Sequence, residues 1–299
     1  MISLVMGAPL DAHTRGHSTG LGTMRQFLHK LEKRLRRSHR PRATDNKKLR
    51  RRLKVRLDQW RAATTGRRKF LSSLNNKTTM REFISSRNIP LPKRYFETSS
   101  VDEIDFASLP ERFVVKPTNA STSKGVMLFA DGVELFSNDR VPREAVANYV
   151  NSNIKRVRND ETKILVEELV EDYDPDCLIP RDFKVYTAGG RVYVIQVIDR
   201  NGAKPYTTSF YSPEWKRMPE LQRSYVPGVT YSVPTHLSQL LSYAEQISRE
   251  LEVFYRLDFY ISPSGPVFGE FTSSPFGGRK FLPEGQELFL RLMEQYPDP

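Results

Sequence analysis

Cysteine is nearly absent from the chain, which has Cys177 alone among its 299 residues. A single thiol can form neither an internal disulfide nor a four-thiolate metal site, so we expect a reducing, cytoplasmic compartment. The five histidines are scattered, at positions 13, 17, 29, 39 and 236, and none has the spacing of a structural zinc site. No run of about 18 apolar residues occurs, and residues 1–10 lack the basic start and long apolar stretch of a secretory signal.

Basic residues are concentrated in one block rather than spread over the sequence. The whole chain has 47 Lys and Arg against 35 Asp and Glu, but residues 25–69 alone hold 19 of the basic residues and three of the acidic ones. The remainder, with 28 basic and 32 acidic residues, is mildly acidic. Apolar residues recur at helical intervals on either side of Pro41, which predicts two basic amphipathic helices. They are Leu28, Leu31 and Leu35 in the first helix, and Leu49, Leu53, Leu57 and Trp60 in the second.

Two interpretations of this basic block, residues 25–70, stay open. It is either a docking site for an anionic surface, membrane lipid or nucleic acid, or a helical extension that packs against the rest of the protein with its charged face solvated. The second is the commoner role of a charge run. Nucleic acid is disfavoured because the block has leucines where stacking aromatic residues are expected. Residues 1–24 have no helical or strand periodicity and are expected to be disordered.

From residue 71 onward the patterns are those of an α+β protein. Asn76 has the position of an N-cap for a helix that extends to about Arg87. Residues 183–199 alternate about Gly189-Gly190, which predicts a β-hairpin, and residues 254–272 predict a second one. Further strands are expected at 113–116, 126–129 and 163–168, and further helices at 142–153, 237–251 and 284–294.

The second hairpin carries two acidic residues that its alternation brings face to face. With the turn at Ser262–Gly265, Asp258 lies opposite Glu270 and Arg256 opposite Thr272, all on one face of the sheet. Carboxylates about 5 Å apart repel each other unless a cation lies between them. Hard oxygen ligands suit Mg²⁺, which also takes waters and phosphate oxygens. A surface hairpin with a chance acid pair, or an Asp–Arg bridge, is the alternative, and the apolar residues that flank the pair disfavour it.

A buried strand ends at Lys116 and leads into a loop of small polar residues. An ammonium group next to backbone N–H donors at the end of a strand is a phosphate-binding arrangement. The loop has one glycine, Gly125, so Lys124 or the hydroxyls of Ser121 and Ser123 are expected to supply further donors. It is not a Walker motif, which needs Gly-Lys-Ser/Thr at the start of a helix.

The order of these segments resembles that of the ATP-grasp enzymes: a helix with Lys77, a strand ending at Lys116, the segment ILVEELVEDYD, and a hairpin with D-x(11)-E. Three stretches resemble motifs of the TupA-like branch, named for teichuronopeptide biosynthesis: RDFKVYTAGGRVYVIQV, TTSFYSPEWKRM and RLDFYISPSGPVFGEFTSSPFGG. The resemblance covers about residues 75–285 and leaves the basic block outside. It implies an ATP-grasp fold with two α+β subdomains, about 111–168 and 169–299 within a domain of 71–299, that clamp ATP.

The resemblance implies a nucleotide site on both walls of a cleft. The ATP phosphates would be contacted by Lys77 and Lys116, with the loop donors Ser121, Ser123 and Lys124. The hinge strand would bind adenine at Glu167, Glu168 and Val170, with Asp174 near the ribose. A plainer alternative for Lys77 is a solvated residue in the first turn of its helix.

The resemblance also implies metal ligands and catalytic residues. The ligands of Mg²⁺ would be Asp258, Glu270 and Thr272, although ATP-grasp enzymes generally carry Asn where this chain has Thr272. The residues facing the transferring phosphoryl group would be Arg256, Lys184 and Arg200. An ideal hairpin about Gly189-Gly190, however, puts Arg200 on the face opposite Lys184, unless a β-bulge shifts the register.

The implied activity is that of an ATP- and Mg²⁺-dependent carboxylate–amine ligase, which forms an acylphosphate and then an amide. Its partners would be a small-molecule carboxylate and an amine, such as an amino acid and a cell-envelope polysaccharide precursor. The expected location is the cytoplasm, with peripheral attachment to the inner face of the membrane as an option. Two rivals remain: a kinase of the same fold that phosphorylates a hydroxyl, and a non-enzymatic module that binds anionic membrane or nucleic acid through residues 25–69.

Overall fold

Six α-helices occur in the part of the chain that the structure, a computed structural model, describes: residues 47–118, 125–154, 162–202 and 204–299. They are α1 (Lys47–Ala62), α2 (Gly66–Ser73), α3 (Lys77–Ser85), α4 (Val146–Ile154), α5 (Leu237–Leu251) and α6 (Pro283–Gln295). All of the described residues belong to one compact unit, Ala43–Pro299. Within the described ranges no helix is both long enough and apolar enough to cross a bilayer.

The first sheet has six antiparallel strands. They are β1 (Arg94–Thr98), β2 (Phe113–Pro117), β3 (Met127–Ala130), β4 (Val133–Glu134), β5 (Asp139–Arg140) and β6 (Ile164–Glu168), in the order β1-β6-β2-β3-β4-β5. Strand alternation sends Phe113 and Val115 to a buried face that packs against α4. The next residues along β2, Val114 and Lys116, therefore point to the other face, which lines a cleft.

The second sheet has seven strands and carries most of the core. They are β7 (Asp182–Ala188), β8 (Arg191–Asp199), β9 (Thr207–Tyr211), β10 (Arg217–Met218), β11 (Val226–Pro227), β12 (Tyr255–Ser262) and β13 (Gly265–Thr272). The order is β10-β9-β8-β7-β12-β13, and β11 pairs in parallel with β9. Both hairpins predicted from the sequence are present, as β7–β8 and β12–β13.

The two faces of the second sheet have different partners. One face buries Phe183, Val185 and Leu257 against α3 and α5. At one end of the other face, Tyr186 and Val194 pack against α1 and α6. The opposite end of that face is polar and lines the cleft, so the same strands supply both the core and the candidate site.

Local patterns account for α3. The Asn76 side chain accepts hydrogen bonds from the backbone N–H groups of Thr78 and Thr79, which are otherwise unpaired at a helix start. The buried residues of this helix are the predicted ones, Met80, Phe83 and Ile84. Lys77 is thereby fixed in the first turn of α3.

The basic block is described only from residue 47 onward. Its second predicted helix is α1, which buries Leu49, Leu53 and Trp60. The first predicted helix and the expected disorder of residues 1–24 lie outside the described residues. The sequence pattern did not predict that Arg56 is buried too, with its guanidinium paired to Asp298 at 2.7 Å.

Candidate active site

The β12–β13 hairpin has the register that the sequence predicts at its acidic pair. Asp258 lies opposite Glu270, and Arg256 lies opposite Thr272. The turn itself closes one residue earlier, because Ser262 pairs with Gly265, and a bulge after Phe259 restores the register. A regular ladder from this turn would put Glu270 opposite Leu257, so the bulge is what brings the two carboxylates to one face.

Asp258 is buried and holds two cationic side chains. Its Oδ1 accepts a hydrogen bond of 2.6 Å from Arg256 Nε, and its Oδ2 accepts bonds from Arg256 Nη2 at 2.7 Å and from Lys184 Nζ at 2.6 Å. Burial alone would raise the pKa of Asp258, but the charges of Arg256 and Lys184 outweigh it and lower the pKa. Asp258 is therefore a carboxylate at neutral pH, and it positions both cations at the floor of the cleft.

Glu270 has no such partner and points into the cleft. Its side chain is 61% exposed, and the nearest cation, Arg256 Nη2, is 3.7 Å from its Oε1. Partial desolvation in the cleft and the neighbouring charge of Asp258 raise the pKa of Glu270. The Thr272 hydroxyl accepts a hydrogen bond of 2.9 Å from Arg256 Nη2. The two carboxylates thus differ: Asp258 is compensated, whereas Glu270 is available to a further cation.

Arg200 reaches the same cluster, and the prediction from an ideal hairpin is wrong on this point. A bulge between Tyr186 and Thr187 shifts the β7–β8 register by one residue, so that Lys184 pairs with Gln196. Arg200 Nη1 then lies 2.5 Å from Asp182 Oδ2, and Lys184 Nζ lies 3.4 Å from that oxygen. The bulge is the correction on which the side assignment of Arg200 depended.

Two lysines project from the opposite wall of the cleft. Lys116, on β2, forms an ion pair with the buried Glu167 of β6. Lys77 Nζ donates a hydrogen bond of 3.1 Å to the carbonyl oxygen of Pro117, the next residue of β2. Burial and the charge of Lys116 lower the pKa of Lys77 to about 8, although Glu167 and Glu270 act in the opposite direction. The influence of Glu270 on Lys77 joins this wall to the acidic pair.

The hinge after β6 adjoins an apolar wall. Leu169 packs with Val114, Leu128 and Ile179 in one buried cluster on the cleft side of the first sheet. Val170 is buried as well, and the Glu168 carboxylate accepts a hydrogen bond from the backbone N–H of Lys93. An apolar wall beside a free-standing backbone segment can hold a flat heteroaromatic ring.

Some of the residues suggested by the sequence are not part of this cluster. Asp174 lies 3.4 Å from Arg181, which also binds Asp172, so the structure puts it in a loop network away from Lys184 and Asp258. The loop after Lys116 falls outside the described residues, and with it Ser121, Ser123 and Lys124.

Asp182 is a site residue that the sequence reasoning missed. It is buried, and despite that burial the charges of Arg200 and Lys184 lower its pKa to about 2. The signal was in the sequence, because Asp182 precedes Lys184 by two residues and must share its face on a strand.

The donor set at Asp258 and Glu270 fits Mg²⁺. Within the described ranges no group of three or more His, Cys, Asp or Glu side chains is arranged as a metal site. The protein offers two carboxylates and the Thr272 hydroxyl rather than a complete cage. Mg²⁺ is usually bound in this way, by one or two carboxylates together with waters and substrate phosphates.

Similar structures include three complexes of nucleotide-dependent enzymes. D-alanine–D-alanine ligase from Bacillus anthracis complexed with ATP is 14% identical, with a TM-score of 0.48 over 75% of this chain and 66% of that one. The ATP-grasp ligase PsnB complexed with a minimal precursor is 11% identical, with a TM-score of 0.44 over 76% and 62%. The biotin carboxylase domain of Hydrogenobacter thermophilus 2-oxoglutarate carboxylase, with MgADP and bicarbonate, is 14% identical, with a TM-score of 0.45 over 69% and 41%.

The chain thus spans less than two-thirds of the length of each of these three proteins. No curated protein matches the sequence. A family description, TupA-like ATP-grasp, matches residues 55–290, which include both sheets, the hinge and the acidic hairpin. The chain belongs to the TupA-like ATP-grasp family.

Proposed function

We propose that the protein is an ATP- and Mg²⁺-dependent ligase that joins a carboxylate to an amine. The observation that carries the proposal is the polar cleft in which Asp258 and Glu270 face each other beside Arg256, with Lys77 on the opposite wall. Such a cleft combines cations for phosphate oxygens with hard ligands for a divalent ion.

Each group in the cleft has a proposed role. Lys77 and Lys116 bind phosphate oxygens from one wall, with Ser121, Ser123 and Lys124 in the adjoining loop. The hinge at Glu167, Glu168 and Val170 binds adenine through its backbone. Asp258, Glu270 and Thr272 hold Mg²⁺, and the transferring phosphoryl group is contacted by Arg256, Lys184 and Arg200. Mg²⁺ bound there supplies charge neutralisation at the phosphate oxygens.

The reaction balances without a protein nucleophile. A carboxylate oxygen of the substrate attacks the γ-phosphorus of ATP, and the bond to the ADP oxygen breaks. The amine then attacks the acyl carbon, phosphate leaves, and one proton is lost from nitrogen. Arg256 is fixed by two hydrogen bonds to Asp258, so its guanidinium is oriented before substrate arrives.

The carboxylate and the amine are proposed as small molecules. The family assignment and the charges of the cleft support an amino acid as one substrate and an amino-sugar or polysaccharide precursor of the cell envelope as the other. This finer substrate assignment rests on analogy within the family.

Product analysis tests the proposal. Purified protein is incubated with ATP, Mg²⁺ and a panel of amino acids and amino sugars, and ADP, phosphate and amide are measured together. We expect amide and phosphate in equal amounts. Phosphorylation of a hydroxyl without release of phosphate would instead identify a kinase, and no turnover with any pair would count against the enzyme proposal.

Matched variants link that turnover to the cleft. Glu270→Gln removes the uncompensated carboxylate with little change in shape, and is expected to lower turnover roughly a hundredfold or more. Glu144→Gln makes the same chemical change at an exposed position outside the cleft and should leave turnover intact.

A further inference from the structure

Helix α1 presents an exposed face that is almost entirely basic. Asp58 is the single acidic residue among the exposed side chains of this helix. Seven exposed basic residues surround it: Lys47, Lys48, Arg50, Arg51, Arg52, Lys54 and Arg61. The helix therefore has a net charge on its outer side that is large for 16 residues.

Few of these charges are used within the described part of the protein. Lys54 Nζ pairs with Asp58 at 2.5 Å, and Arg52 donates a long hydrogen bond of 3.5 Å to the carbonyl oxygen of Met293. Lys48 and Arg51 form no ion pair or hydrogen bond with any residue of the described ranges. Exposed like charges on one helix repel each other, so an anionic partner would relieve a standing cost.

The helix lies flat on the protein along its whole length. Leu49, Leu53 and Trp60 are buried at its start, middle and end, each less than 2% exposed. A helix of 16 residues is about 24 Å long at 1.5 Å per residue. The basic side chains thus project from a straight, immobilised element, and the surface they define is planar rather than a ridge that could enter a groove.

Planarity and composition favour a lipid surface over nucleic acid. A recognition helix must enter the major groove of DNA, which a helix packed flat on a protein body cannot do. Binding to single strands needs exposed aromatic rings, whereas Trp60, the sole aromatic residue of α1, is buried. Clusters of basic residues attract the anionic headgroups of a bilayer without any groove or stacking platform.

We propose that the exposed basic face of α1 docks the protein on an anionic phospholipid bilayer. Residues 25–46 add eight more Lys and Arg to the same block, while the rest of the chain is mildly acidic. This asymmetry orients the protein, because an anionic surface attracts the α1 side and repels the remainder.

The docked orientation brings one end of the cleft to the bilayer. Helix α1 packs against Pro275–Gly278, the turn that follows Thr272, and an added Cβ at Gly278 would lie 2.7 Å from the Cα of Arg50. If the proposed function holds, substrates at the membrane surface reach the cleft beside Thr272. This orientation rests on the proposed function, whereas lipid binding itself does not require ATP turnover.

Vesicle co-sedimentation of the full chain tests the docking surface. We expect binding to phosphatidylglycerol vesicles at physiological salt, no binding to phosphatidylcholine vesicles, and weaker binding as salt is raised. The double variant Lys48→Glu/Arg51→Glu should lower the partition coefficient for phosphatidylglycerol at least about tenfold, since each basic residue near an anionic surface contributes about 1 kcal/mol. ATP turnover of this variant without vesicles should equal that of the wild type.

A charge-matched control separates the site from overall charge. Arg140→Glu/Lys216→Glu changes the net charge equally, at exposed positions away from α1, and should retain vesicle binding. Equal loss in both double variants, no loss in either, or failure of the wild type to bind phosphatidylglycerol would each overturn the proposal. So would tight binding of a DNA duplex or an RNA by a protein that ignores the vesicles.

Discussion

Lys77 Nζ donates a hydrogen bond of 3.1 Å to the carbonyl oxygen of Pro117 and so ties helix α3 to the end of strand β2. Helix α3 packs on the second sheet through Phe83, whose ring lies 5.8 Å from that of Phe271, while β2 belongs to the first sheet. This bond therefore connects the two walls of the cleft through the side chain proposed to bind phosphate. Its surroundings make Lys77 the group with the clearest dependence on pH.

Nucleotide affinity should fall as the pH rises through the pKa of Lys77, about 8. The protonated ammonium attracts phosphate and the neutral amine does not, so we expect roughly tenfold weaker binding of an ATP analogue at pH 9.5 than at pH 7. Lys77→Arg keeps its charge over this range and should bind with a flat pH profile in calorimetry. Equal slopes for the wild type and Lys77→Arg would remove Lys77 from the phosphate site.

The same pKa makes a separate prediction about stability. Folding lowers the pKa of Lys77 from 10.5, so the unfolded chain binds more protons between pH 8 and 10.5, and the contribution of Lys77 to the free energy of unfolding rises with pH in that window. In Lys77→Met this contribution is absent. Urea titrations of both proteins at pH 8 and pH 10 should show the stability difference changing in favour of the wild type.

Asp182 should contribute to stability above pH 4 and lose that contribution in acid. Its pKa is lowered to about 2 from 3.8, so the folded protein keeps the carboxylate charged where the unfolded chain takes up a proton. The stability advantage of the wild type over Asp182→Asn should shrink by about 2 kcal/mol between pH 5 and pH 2. A pH-independent difference in denaturant titrations would contradict the Asp182–Arg200 pairing.

The buried ion pair between α1 and the C-terminal segment should carry considerable stability. Asp298 lies 2.7 Å from Arg56, whose side chain is fully buried and also donates to the carbonyl oxygen of Phe254. Asp298→Asn leaves that guanidinium without its countercharge, so the free energy of unfolding should fall by about 3 kcal/mol. Asp58→Asn breaks only an exposed pair with Lys54 and should cost under about 0.5 kcal/mol, which thermal or urea unfolding can distinguish.

Thr272 offers a test of the departure from the usual ATP-grasp asparagine. Its hydroxyl accepts a hydrogen bond from Arg256 and lies 3.5 Å from Glu270 Oε1. Thr272→Val removes the oxygen while keeping the shape and should lower turnover about tenfold or more. Thr272→Asn restores an oxygen ligand and should retain activity. Full activity in Thr272→Val would exclude Thr272 from the metal and phosphate contacts.

The sequence predicted what depends on local alternation, and failed where irregular backbone intervenes. The facing of Asp258 and Glu270 was predicted correctly, although the tight turn and the later bulge that produce it were not. The ideal-hairpin rule was wrong for Arg200 because a bulge near Tyr186 has no distinctive sequence signal. Asp174 was placed by analogy in a loop, where neither helical nor strand periodicity constrains the path of the chain.

Burial of charged side chains was the other feature that pattern reasoning could not supply. Arg56 follows a basic run on α1 and reads as solvated, yet its partners come from residues 254, 273 and 298, far away in sequence. Such long-range pairs depend on the tertiary fold, in contrast to the N-cap of α3, whose donors and acceptor lie within three residues of each other.

The most direct test of the central claim is the effect of Mg²⁺ on nucleotide binding in the wild type and in Glu270→Gln, measured by calorimetry with a non-hydrolysable ATP analogue. Asp258 and Glu270 are proposed to hold the ion against the phosphates, so Mg²⁺ should tighten binding at least about tenfold in the wild type and have little effect in Glu270→Gln. The Glu144→Gln control should behave like the wild type. Equal tightening by Mg²⁺ in Glu270→Gln and the wild type would contradict the account.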